Sequence, residues 1–137
     1  MGGEERFWLG PEGGVFSLYF RQGEKQIYKN WKVPPVLDIE AFKIQSQSKN
    51  CICLTKEGCL TNACGTTFYL NIKRTISLLD INEFAASFNL EFPKDIKAVA
   101  YKSDNQITNI GNESWNKETG LISVWMLSMF NPTSATT

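Results

Sequence analysis

The chain has 137 residues, 42% of them apolar and 12% aromatic, with 14 basic and 14 acidic side chains and a formal charge of zero. This is the composition of one soluble globular domain and excludes the disordered and fibrous classes; at this length about 70% of the unfolded surface can be buried, so the core needs no metal or disulfide staple. A zero charge without a Lys/Arg run removes the counterion release on which nucleic-acid affinity rests, so nucleic acid is not an expected partner.

Histidine is wholly absent. This excludes Ser-His-Asp and Cys-His nucleophilic sites, His-ligated zinc or iron, and an imidazole proton shuttle. The longest apolar run, residues 121–130, is half the ~20 residues a membrane span needs, so no spanning helix is expected. The first residues, Met-Gly-Gly-Glu-Glu-Arg-Phe-Trp, lack a basic segment followed by an apolar one, and Arg6 stands where a myristoylation signal has Ser or Thr.

Short β-type runs dominate. Residues 7–9 form a first apolar segment, ended by the breaker cluster at 10–14. Residues 15–20 predict a strand with Phe16, Leu18 and Phe20 on one face. Residues 28–35 read as a loop, because Pro34 and Pro35 remove two backbone donors and fix two φ angles. Strands are expected over 42–48 and 51–56, joined at Lys49 and Asn50, with a turn at Glu57 and Gly58. Over 66–74 Phe68, Leu70 and Ile72 alternate with polar residues and Tyr69, the pattern of an antiparallel strand with one wet face.

One segment alone reads as a helix: Asp80 caps it, Glu83 approximates a capping box, and Ile81, Phe84, Ala85 and Phe88 share a face. It should stop near Asn89. Strand returns over 96–103 and resumes at 106–109, followed by turn chemistry at 109–114. Residues 121–130 are apolar on both faces, as a strand covered from both sides would be. With so buried an element close to the last residue, more chain is expected to follow, and strand edges left open would favour self-association.

Cys51, Cys53, Cys59 and Cys64 are spaced C-x-C-x5-C-x4-C, whereas structural zinc sites usually present paired C-x2-4-C knuckles. Zinc, one or two disulfides, and free thiols are the alternatives, with free thiols favoured and Cys51 and Cys53 as small strand fillers. Asn112-Glu113-Ser114 matches a glycosylation sequon, a pattern common by chance, and is read instead as a polar turn. Gly10 to Gly14 lacks the spacing of a phosphate-binding loop.

Two stretches combine charge, amides and aromatic surface: Arg6, Trp8 and Glu12 in the first, and Asp104 and Asn105, leading to Asn109, Trp115 and Trp125, in the second. Sugar sites need rigid aromatic faces for the apolar side of the ring and carboxylates, amides and a guanidinium for its hydroxyls. An aromatic core with solvated charges between would share this composition.

At Gly2-Gly-Glu-Glu-Arg-Phe-Trp-Leu-Gly-Pro-Glu-Gly-Gly14, Ser103-Asp-Asn-Gln-Ile-Thr-Asn-Ile-Gly-Asn-Glu-Ser-Trp115 and Lys117-Glu-Thr-Gly-Leu-Ile-Ser-Val-Trp125, the chain resembles an uncharacterised bacterial family whose members look like distant relatives of the aldose 1-epimerase, or galactose mutarotase-like, proteins. The resemblance spans essentially the whole chain. It implies part of a large antiparallel β-sandwich that binds carbohydrate in a cleft on one sheet, with Arg6 at a sugar-contacting position and Asn109-Ile110-Gly111 as a hairpin turn. Mutarotases pair a His acid with a Glu base; without His, epimerase activity does not carry over.

The expectation is therefore a mainly β, antiparallel β-sandwich with one short helix, forming a single domain over 1–137 that is a portion of a longer one. Its expected role is sugar binding through Arg6, Trp8, Glu12, Asp104 and Asn105, with no catalytic residue, metal or cofactor of its own. The alternatives are a sugar-active enzyme whose catalytic groups lie outside this chain and a non-catalytic structural or interaction domain.

Overall fold

The computed structural model describes residues 5–129 and 134. The chain is mainly β, as the sequence predicts, with two antiparallel sheets and few helices. One sheet pairs β1 (Glu5–Gly10) with β6 (Ser123–Ser128); the other has the order β2 (Lys43–Gln47), β3 (Cys51–Thr61), β4 (Thr67–Leu79), β5 (Ala100–Asn109). Between them come α1 (Pro35–Asp38), α2 (Ile81–Ser87) and a 3-10 turn at Tyr28–Asn30. Among the described residues no helix is long and apolar enough to cross a membrane. The chain divides into two compact units, one of Met1–Glu40, Glu57–Asn71 and Ile107–Thr137, the other of Ala41–Lys56 and Ile72–Gln106.

In the first unit, Phe7, Trp8 and Leu9 of β1 are all buried, and β6 runs antiparallel beside them with Trp125 opposite Trp8 and Leu127 opposite Arg6. Residues 15–20 are not the predicted strand. Their backbone donors are taken up locally, Ser17 N–H by the Gly14 carbonyl and Leu18 N–H by the Pro11 carbonyl, and the buried Ser17 hydroxyl donates to the Glu12 carbonyl at 2.5 Å. The segment is thus a folded turn that still buries Leu18 and Tyr19. The loop expected at 28–35 contains the 3-10 turn and leads into α1, so the helix at 80–88 is not alone; Pro35 occupies the first helical position, where its fixed φ favours a helix.

No turn forms at Glu57 and Gly58, because β3 runs through them to Thr61. Gly58 marks close approach instead: a Cβ there would run into the Val36 side chain. β6 is not covered on both faces among the described residues. Ser123, Trp125 and Ser128 are exposed and Val124, Met126 and Leu127 half-buried, so neither face is closed off from solvent; Phe130 lies outside the described residues.

The second unit holds the β2–β3 hairpin, closed by Ser48 N–H on the Cys51 carbonyl over Lys49 and Asn50 as predicted, with a register shift between Ile44 and Ser46. α2 begins as its sequence requires, the Asp80 carboxylate accepting from Asn82 and Glu83 N–H. It stops before Asn89, whose φ is 51°. None of its residues is buried, although Phe84 and Phe88 pack on each other at 4.9 Å. The strand expected from residue 96 starts at Ala100, since Ile96 N–H turns back onto the Pro93 carbonyl.

On β4 the strict alternation holds, with Phe68, Leu70 and Ile72 exposed by 3%, 0% and 0%. All four cysteines are free thiols, and Cys51 and Cys53 fill β3 as small side chains accepting from Ser77 and Thr75 hydroxyls.

Candidate functional site

Three of the five residues expected to hold a sugar meet in the first unit. The Arg6 guanidinium lies 5.0 Å from the centre of the Trp8 ring, and Trp8 Nε1–H donates to the Glu12 carboxylate at 2.6 Å. Trp8 stacks on Tyr19 at 5.4 Å, and Tyr19 on Trp31 at 5.5 Å with planes 5° apart. The Tyr19 hydroxyl donates to the Leu9 carbonyl at 2.6 Å. Burial, and then the nearby Glu12 carboxylate, push the Tyr19 phenol well above its ordinary range, with Arg6 opposing.

This cluster behaves as a core: each ring has a partner, and the polar tips of Trp8 and Tyr19 are satisfied. Trp8 is 2% exposed, so its face is spent on the stack. Arg6 and Trp31, half-buried, and Glu12, exposed, are the members solvent reaches.

Asp104 and Asn105 lie on β5 in the second unit. Asp104 is 3.9 Å from Lys102, an exposed pair of little energetic weight. Asn105 is half-buried, accepting from Arg74 Nε–H at 2.8 Å and donating to Ser103 at 3.1 Å. Their partners are therefore Lys102, Arg74 and Ser103, while Arg6, Trp8 and Glu12 have one another.

A cleft of about 710 Å³ in the first unit runs between the start of β4 and the loop after β5. Its walls follow from the turn chemistry. Asn109 accepts from Gly111 N–H and donates to the Glu113 carbonyl, while Ile110 N–H returns to the Tyr69 carbonyl. Further along, Asn116 accepts from both Glu118 and Thr119 N–H and from the Thr119 hydroxyl.

Asn62, 1% exposed, ties this loop down. Its amide donates to the Thr119 carbonyl at 2.9 Å and its oxygen accepts from Cys64 and Thr66 N–H. Gly120 at φ 109° is needed there, because a Cβ would lie 3.0 Å from the Asn62 amide nitrogen.

Two aromatics face the space. Trp115 is held edge-on against the buried Phe68 at 5.9 Å, and Tyr69, on the wet side of β4, is 55% exposed. Around them stand Thr66, Thr67, Asn112, Glu113 and Ser114. Asn112 and Glu113 are exposed, with no side-chain hydrogen bond to another described residue. Among the described residues Glu113 is the one carboxylate on the lining and no Lys or Arg stands there, so the cleft offers acceptors, amides and hydroxyls rather than an acid and base in tandem.

Trp115 and Asn109 belong to the stretch whose sequence carries a sugar-site inventory, but Tyr69, Thr66 and Thr67 do not. They come from a strand that reads in sequence purely as sheet. Their signal is local: an aromatic on the polar face of an alternating strand, next to threonines. Among the described residues no group of three or more potential metal ligands comes together.

No curated protein and no solved structure matches the chain. A family model described as a family of unknown function (DUF6786) matches residues 1–137, and the chain belongs to that family.

Proposed function

We propose that this is a carbohydrate-associated β protein that binds a saccharide in the cleft between Thr66–Tyr69 and the 109–119 loop. The observation that carries the reading is the pairing of two aromatic side chains on the cleft wall, Trp115 and Tyr69, with the exposed amide and carboxylate of Asn112 and Glu113, which have no side-chain hydrogen bond to another described residue. Pyranose rings present an apolar C–H face and a polar rim, and this wall presents the complement of each. The volume of about 710 Å³ suits a small ligand of one to a few rings. The resemblance of residues 2–14, 103–115 and 117–125 to an uncharacterised bacterial family, read as distantly related to the galactose mutarotase-like proteins, points to the same ligand class.

The lone carboxylate on the lining favours binding over hydrolysis, which needs two carboxyl groups about 5–10 Å apart. Arg6, Glu12, Asp104 and Asn105 remain the alternative contacts, and substitution separates the two placements. Intrinsic tryptophan fluorescence is followed during titration with a panel of neutral mono- and oligosaccharides. A saturable change that Trp115→Ala reduces by about tenfold or more, the effect of losing one stacking aromatic, while Arg6→Ala and Asp104→Ala leave it intact, is the expected result. Binding lost with Arg6 or Asp104 but kept in Trp115→Ala would move the site; no saturable binding by any saccharide would overturn the reading.

A further inference from the structure

We propose that a second cleft in the first unit binds a small organic anion, its charged group held by Arg21 and Lys32 and its apolar body lying on Phe20, Pro34 and Leu60. This cleft of about 420 Å³ is formed by the turn around residues 18–22, the approach to α1 and the end of β3. It shares neither of the aromatic groups invoked for saccharide binding.

The lining is unusual in its charge. It includes Arg21 and Lys32 and not one Asp or Glu. Neither cationic side chain has a hydrogen bond or ion pair with another described residue. In a protein with 14 acidic and 14 basic residues, two cations on one concave surface without a partner among the described residues are a local excess that the overall composition does not impose. Backbone geometry brings them to the same rim, because Lys32 N–H donates to the carbonyl of Tyr19, two residues before Arg21.

Three amides nearby each already spend a donor within the protein. The Gln22 amide donates to the Cys64 carbonyl, the Asn30 amide to the Lys25 carbonyl, and the Asn62 amide to the Thr119 carbonyl. The Thr61 hydroxyl is paired with that of Thr67. The charged groups the cleft offers a ligand are a guanidinium and an ammonium, set beside apolar surface and the exposed Cys59 thiol. Guanidinium binds carboxylate or phosphate through two parallel hydrogen bonds, and an apolar surround strengthens both. Carboxylates and phosphate monoesters share this recognition chemistry, so probes of both kinds are used.

The test is titration of isotopically labelled protein with benzoate, phenyl phosphate and neutral benzamide, followed by amide NMR. Saturable shifts at residues 20–22, 32 and 59–61 with either anion, absent with benzamide and weakened by added salt, are expected. A response to benzoate alone identifies a carboxylate ligand, and to phenyl phosphate alone a phosphate ester. Arg21→Gln and Lys32→Gln should each weaken binding about tenfold or more, as loss of a charge-assisted hydrogen bond does, with the rest of the spectrum unchanged because both side chains are exposed. Equal binding of benzamide, unaltered affinity in both variants, or no saturable shift with either anion would overturn the proposal. Saccharide binding at Trp115 is scored on different residues, so the two readings fail separately.

Discussion

Tyr19 carries its hydroxyl into a site that water hardly reaches, 1% exposed, and donates it to the Leu9 carbonyl. Its pKa is raised above the ordinary 10.0 by burial first and the Glu12 carboxylate second, so the folded state holds a proton that the unfolded state releases. The contribution is complete below the unfolded pKa of about 10 and is lost as pH rises beyond it. The Tyr19 phenol should therefore resist ionisation in an ultraviolet pH titration until the protein unfolds, and that resistant signal should vanish in Tyr19→Phe. Asn62 is the corresponding residue at the cleft. Asn62→Ala strands two backbone donors and one carbonyl, so chemical denaturation should show a loss of about 3 kcal/mol, with hydrogen exchange at Thr66 and Thr119 quickened. The sequence marks Trp8 as aromatic surface for a ligand; its ring is closed by Tyr19 and Arg6. A residue's chemistry is legible in its letter, but whether its face is free depends on what tertiary packing places over it.

At the scale of elements, what sequence periodicity specifies is seen most clearly in β4 and α2. The first has an unbroken alternation and the second a cap followed by a helical repeat, and both form where predicted. Residues 15–20 have an equally good strand pattern, yet the Ser17 hydroxyl and the Pro11 carbonyl, within seven residues of each other, draw the backbone into a turn. Local hydrogen bonds from Ser compete with the sheet ladder, and alternation does not register them. Gly58 fails as a turn signal for the opposite reason, since its missing Cβ admits Val36 of α1 to the face of β3. Gly58→Ala should cost about 1–3 kcal/mol through overpacking, and Val36→Ala in the same chain should recover much of it. Urea unfolding of the two single variants and the double variant checks this, and strictly additive losses would contradict it.

At the scale of the molecule, the mainly β, antiparallel architecture is legible from the density of short alternating runs, whereas the wall that Thr66 to Tyr69 give the proposed saccharide cleft reads in sequence as plain sheet. The five residues expected at one sugar site divide between two compact units, Arg6, Trp8 and Glu12 in one and Asp104 and Asn105 in the other. Tyr69 and Trp115 are separated by a strand, a helix and another strand, and reach one cleft because the Ile110 N–H returns to the Tyr69 carbonyl, a long-range contact that the sequence pattern does not contain. The most direct test of saccharide binding there is residue-resolved amide NMR during titration with a neutral oligosaccharide that changes tryptophan fluorescence. Shifts concentrated at residues 66–69 and 109–119, with 6–12 and 104–105 unmoved, are the predicted result; shifts confined to 6–12 or 104–105, or the absence of any saturable shift, would contradict the account.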